Sequence, residues 1–138
     1  MKTTLTGLIL LLLVSATALA QSQSTPDEQA LLESAYLGRI DEVQRLVPDL
    51  LPPDTADADQ RTPLMFASFN GHTSVMEYLL QAGARVDTTD SAGRTALMYA
   101  ASGPFAKAVA TLLLWGADVD KLGSLEGFTP LMLSLIHI

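Results

Sequence analysis

Between Arg61 and Asp120 the chain says nearly the same thing twice, and it starts again further on. Thr62-Pro63-Leu64-Met65 returns as Thr95-Ala96-Leu97-Met98 and then as Thr129-Pro130-Leu131-Met132, while Gly83-Ala84-Arg85-Val86-Asp87 returns as Gly116-Ala117-Asp118-Val119-Asp120. Both pairs inside the stretch are offset by 33 (95 − 62 and 116 − 83). A period of this length rules out most architectures. It marks a solenoid in which each unit is one supersecondary element that buries its apolar face only against its neighbours.

The local signals within each unit are those of helix pairs. Thr62 supplies an N-cap oxygen with Pro63 in the first turn, and Leu64, Met65, Ala67 and Ser68 form a packed side. Asn70-Gly71 then turns the chain through a residue able to take positive φ, and Val75, Met76, Leu79 and Leu80 recur at helical spacing before Gly83. Earlier, Thr25-Pro26-Asp27-Glu28 opens a helix with a capping box. Ala30, Leu31, Ser34 and Ala35 give that helix a small apolar face, Gly38 ends it, and Ile40, Val43, Leu46 and Val47 line a second one. Gly38 stands 33 before Gly71 (71 − 38), so this is a divergent first unit. Its polar Glu33, Arg39, Asp41, Gln44 and Arg45 suit an end repeat whose outer side meets water.

Pro48 to Asp59 reads as a connecting loop that preserves the spacing. In the third unit Asp90-Ser91-Ala92-Gly93 is a turn-forming string. Gly103-Pro104 forces the turn between its helices to be rebuilt, because proline cannot take positive φ. Val109, Leu112, Leu113 and Leu114 carry the apolar stripe, and Trp115 follows as either a binding anchor or an indole packed on the neighbouring repeat.

The pattern T-P-L-x-x-A followed by L-L-x-x-G-A-x-V-D, over roughly residues 27–132, resembles the ankyrin repeat. The resemblance implies an all-α solenoid of stacked helix-turn-helix units with β-turn fingers. Residues 21–26 serve as linker and helix N-cap, followed by repeats at 27–59, 60–92 and 93–126 and a partial one at 127–132. One departure recurs. The family usually carries a histidine after T-P-L, bonded into a network with the threonine, whereas Met65, Met98 and Met132 stand there in this chain. Methionine is expected to fill space by dispersion and not to bridge hydroxyl to backbone. Leu133 to Ile138 breaks the repeat pattern and matches the translation of a transposon end used to fragment DNA. It is read as a non-native tail on a frame cut short in its fourth repeat.

Ahead of the repeats, Leu5 to Val14 is an almost unbroken apolar run behind Lys2, closing on Ala18-Leu19-Ala20. This is the layout of a secretory signal peptide over residues 1–20, and the run is far shorter than the roughly 20 residues a spanning helix needs. A periplasmic or secreted location is expected, by analogy with small exported ankyrin-repeat proteins of bacteria. Removing residues 1–20 takes away one of eight basic side chains and leaves all fifteen acidic ones, so 7 − 15 gives −8. Such a balance disfavours nucleic acid and anionic membrane surfaces as partners. With no cysteine there are no disulfides, thiolate nucleophiles or cysteine-ligated metals.

Catalysis has little to work with. His72 is the one imidazole outside the tail, in the position between helices where ankyrin repeats carry a structural histidine. Asp54, Asp57 and Asp59 lack the glycine and distal glutamate of an EF-hand loop and read as a solvated acidic loop. Neither enzymatic activity nor a cofactor or metal is expected. The resemblance implies instead a monomeric interaction module, scaffold or adaptor, whose partner is another protein; the alternative is the repeat portion of a longer secreted enzyme or toxin. In ankyrin arrays the variable side chains lie at the finger tips and on the exposed side of the first helices. The matching positions are Ala58, Asp59, Arg61, Phe69 and Asn70, then Ser91, Ala92, Arg94 and Ser102, with Phe128 at the tip of the fourth unit. Arg61, Phe69 and Arg94 are the expected anchors, since arginine and aromatic residues dominate interface hot spots. Otherwise the two arginines merely solvate the fingers beside Asp59 and Asp90.

Overall fold

The computed structural model describes residues 24–119. Residues 1–20, expected to be a signal peptide, and residues 120–138, with Phe128, the expected fourth repeat and the tail, lie outside the described residues. Within them are six α-helices and no strand: α1 (Pro26–Leu37), α2 (Ile40–Leu46), α3 (Pro63–Phe69), α4 (Thr73–Gln81), α5 (Ala96–Ala101) and α6 (Ala106–Leu114). They form an all-α solenoid of three helix pairs. The first helices α1, α3 and α5 contact one another in order as one layer, and α2, α4 and α6 form the other.

The core runs unbroken between the layers. Leu31, Leu46, Leu64, Met76, Leu79, Leu97 and Leu112 are all less than 2% exposed. Each such side chain contributes about 1.5–3 kcal/mol by leaving water, and truncating any of them to alanine would cost about 2–5 kcal/mol. Leu114, read from the sequence as part of the apolar stripe, is 87% exposed. It follows Val109 by five residues, which turns it away from the face that Val109 and Leu112 bury. Trp115 at the same helix end is also exposed.

Thr25 caps α1 as its sequence suggests: its hydroxyl accepts from Glu28 N at 3.2 Å, and Glu28 Oε2 accepts from Thr25 N at 2.8 Å. Thr62 and Thr95 cap α3 and α5 through the backbone N–H groups of Met65 and Met98, each at 3.4 Å. Met65 does not bridge the Thr62 hydroxyl to the backbone, since that hydroxyl accepts from Met65 N, but its sulfur does more than fill space. Its Sδ accepts the buried Thr62 N–H at 3.4 Å, so a thioether completes the capping box. The buried donor would otherwise go unpaired, and even a weak acceptor relieves that cost.

Successive units are stitched by rings and carbonyls. Gly38 and Gly71 both adopt left-handed backbone, with φ of 75° and 69°. The imidazole of His72 lies over Gly38 and the ring of Phe105 over Gly71, so that a Cβ would come within 2.6 Å and 2.3 Å of them. Phe105 replaces the histidine one period later, and its ring also flanks Gly103. This is how the Gly103-Pro104 turn is rebuilt: Ser102 ends α5 in right-handed backbone and α6 starts at Ala106. His72 Nε2 lies 3.0 Å from the Tyr36 carbonyl, Tyr78 donates its hydroxyl to the Val47 carbonyl at 2.7 Å, and Asp54 and Asp87 accept the backbone N–H groups of Arg85 and Asp118 at 3.1 and 3.0 Å.

Candidate functional site

The two described fingers are built alike. Asp57 Oδ1 accepts the backbone N–H groups of Asp59 and Arg61 at 3.0 and 2.8 Å, and its Oδ2 accepts from Arg61 Nε at 2.8 Å. One period later Asp90 Oδ1 accepts from Ala92 N and Arg94 N, both at 2.9 Å, and its Oδ2 accepts from Arg94 Nε at 3.0 Å. Each aspartate thus folds its finger by holding the turn backbone with one oxygen and the arginine with the other. Arg61 therefore pairs chiefly with Asp57 and only at 3.5 Å with Asp59, the partner suggested by the sequence, whereas Arg94 does pair with Asp90. Neighbouring fingers are joined where the Asp59 carbonyl accepts from Ser91 N and Oγ at 2.9 and 3.0 Å.

Held this way, the guanidinium planes lie over rings on the first helices: Arg61 over Phe66 at 5.1 Å and Arg94 over Tyr99 at 4.9 Å. Phe66 and Phe69 on α3 meet Tyr36 of α1 and Tyr99 of α5. Tyr36 stacks on Phe69 at 6.3 Å and meets Phe66 edge-on at 6.3 Å, and Phe69 meets Tyr99 edge-on at 6.2 Å. These four rings, the two arginines and Met65 line a cavity of about 240 Å³.

The Tyr99 hydroxyl also donates to Asp90 Oδ2. Burial pushes the Asp90 carboxyl up, but the hydrogen bonds from Tyr99, Arg94 N and Ala92 N, with the Arg94 charge, outweigh it and hold the group below its ordinary value. Burial and the Asp90 carboxylate push the Tyr99 phenol up to about 12. Hydrogen bonding to Asp57 raises Arg61 further above its already high value.

Of the positions picked from sequence, Arg61, Phe69 and Arg94 come together at this cavity. Ala58, Asp59, Ser91 and Ala92 are exposed in the fingers and do not line it, although the Asp59 carboxylate reaches Arg61 at 3.5 Å. The half-buried Asn70 donates its amide to the Tyr36 carbonyl at 2.7 Å, because the turn between α3 and α4 sits beside the end of α1. Ser102 is exposed, and its hydroxyl donates to the Tyr99 carbonyl at 2.7 Å. Sequence reasoning missed Tyr36, Phe66 and Tyr99 as lining residues. The repeat itself carries a signal for them, since Tyr36 is one period before Phe69 (69 − 36) and Tyr99 one period after Phe66 (99 − 66).

Stacked helix pairs joined by finger turns define a helical repeat protein. A family model described as ankyrin repeats in three copies matches residues 4–90 and, overlapping them, 31–122, and the chain belongs to the ankyrin-repeat family. Ankyrin repeats mediate binding to other proteins and are in general non-catalytic modules. The chain is also 42% identical over 53 residues to mouse 26S proteasome non-ATPase regulatory subunit 10, a stretch that makes up 38% of this chain and 23% of that protein. The chain thus matches less than a quarter of that relative's length.

Proposed function

We propose that the chain is an exported ankyrin module that docks another protein on the face formed by its fingers and first helices, acting as a scaffold or adaptor without catalysis of its own. The cavity ringed by Tyr36, Phe66, Phe69 and Tyr99 beneath Arg61 and Arg94 carries this reading. Rings and arginines are the side chains that dominate interface hot spots, and Phe69 and Tyr36 stay 45% and 41% exposed where the core does not use them. At about 240 Å³ the cavity is smaller than the roughly 300–1,000 Å³ of typical small-molecule sites. It suits side chains of a docking protein better than a cofactor. Export rests on the apolar run behind Lys2 and the Ala18-Leu19-Ala20 pattern.

The test is affinity capture from the exported fraction with the unaltered chain and with Arg61→Ala, Phe69→Ala and Arg94→Ala combined. A partner held by the first and lost from the correctly folded second supports the module. If binding survives all three changes, the assignment to this face is wrong. Fractionation of cells expressing the full chain tests export: a mature species lacking residues 1–20 outside the cytoplasm is expected, and a cytoplasmic full-length product would refute it.

A further inference from the structure

The two ion pairs at the cavity are exposed unequally. The Arg94 side chain is 50% exposed while that of Asp90 is 1% exposed, and Arg61 is 38% exposed against 17% for Asp57. Each aspartate is turned inward onto its own finger, and each guanidinium is turned out over a ring. Asp59, at 68%, is the exposed carboxylate of the fingers, and it does not line the cavity. An acidic chain, with a net charge of −7, therefore presents cations at this one apolar hollow. Arg94 binds Asp90 through Nε and lines the cavity with its side chain half exposed, and its guanidinium carries two further nitrogens in the planar arrangement that pairs with a carboxylate. Arg61 is flanked by Asp57 and, at 3.5 Å, by Asp59, whereas among the described residues Arg94 pairs only with the buried Asp90, so Arg94 is the cation that would disfavour a cationic anchor even though four rings surround the space.

From this asymmetry we infer that the cavity recognises an acidic peptide segment of the partner, with one large apolar side chain seated among Tyr36, Phe66, Phe69 and Tyr99 and an adjacent aspartate or glutamate on the terminal nitrogens of Arg94. The inference rests on the docking face proposed above and adds the chemistry of what docks there. Burying the apolar side chain supplies affinity, and the carboxylate supplies selection against neutral and basic segments.

Selection of a displayed random peptide library on the full chain, followed by fluorescence polarisation with the enriched peptides, tests it. Enriched peptides should carry Asp or Glu within one or two positions of a large apolar residue. Replacing that acid by its amide in the peptide should weaken binding about tenfold, as should Arg94→Gln in the protein, and the two losses should not add. Arg94→Lys should recover part of the loss, and affinity should fall as salt rises. The amide change in the peptide leaves the protein untouched, so it decides the matter even if Arg94→Gln disturbs the finger. Enrichment of neutral or basic peptides, or an acidic peptide indifferent to both changes, overturns the inference. If those neutral peptides are still lost on Phe69→Ala, the docking face stands and only the acidic preference falls. An absence of any enriched peptide also overturns the inference, and the capture experiment then judges the face independently.

Discussion

The ring of Phe105 rests on the Cα of Gly71, so close that a Cβ built there would lie 2.3 Å from the ring. Gly71 also holds φ at 69°, so Gly71→Ala meets both a clash and a strained backbone. The left-handed conformation alone costs an L-residue about 1–2 kcal/mol, and overpacking adds about 1–3 kcal/mol. Urea unfolding should therefore show Gly71→Ala losing at least about 2 kcal/mol, with the loss smaller in a Phe105→Ala background. Equal losses in the two backgrounds would mean that the ring and the glycine are not coupled.

Gln60 is the non-glycine residue with positive φ among the described residues, at 61°, and it stands one period before Gly93, which has φ of 78°. Two fingers of the same shape thus use different residues at the same left-handed corner. Gln60→Gly should stabilise the protein by about 0.5–1 kcal/mol, the relief of strain exceeding the added freedom of the unfolded chain. A rise of a few degrees in melting temperature corresponds to that figure. Gly93→Ala should do the reverse through backbone strain alone, because a Cβ there has nothing within 4 Å. A lower melting temperature for Gln60→Gly would contradict this account.

The Asp90 carboxyl is held below its ordinary value and Tyr99 above its own, at about 12. Asp90 therefore contributes stability that is fully present above its unfolded value, near pH 4, and is lost as pH falls through the lower folded value. Tyr99 contributes stability that is present below about pH 10 and is lost as pH rises toward its folded value of about 12. Tyr99→Phe should cost about 1–2 kcal/mol at neutral pH. It should also remove most of the alkaline loss and bring the acid transition to higher pH. An unchanged acid transition would show that the phenol does not support the carboxylate.

Met65→Leu keeps the volume and removes the sulfur that accepts the Thr62 N–H. The residue is 2% exposed, so no water replaces the lost acceptor, and about 1 kcal/mol of stability should go with it. Met98→Leu, at the half-buried equivalent position, should cost less. Equal costs would reduce Met65 to a space filler.

How much of this was legible in the sequence depended on whether a feature was periodic. The period of 33 and the threonine caps at Thr25, Thr62 and Thr95 place the first helices well, because caps are local and each unit repeats them. The finger arginines were also visible, but the Asp57–Arg61 pair was not, since nothing in composition says which of Asp57 and Asp59 the turn directs inward. Leu114 was misjudged because a run of leucines hides the helical phase that sends one of them to solvent. The aromatic lining escaped because Tyr36, Phe66 and Tyr99 are the kind of residue a core also uses; only the stacking of three first helices brings them to one hollow.

His72 over Gly38 and Phe105 over Gly71 give the array a direction. Each ring needs bare backbone in the unit before it, and at the corresponding point of the third unit stands Pro104. The first two units can each be followed by a neighbour bearing a ring, whereas the third would offer such a neighbour a pyrrolidine instead of an open Cα. Gene duplication could lengthen this array by copying its second unit in place, but not by copying the third behind itself without a compensating change. The order of the repeats is thus written into their turns, and the units are not interchangeable parts.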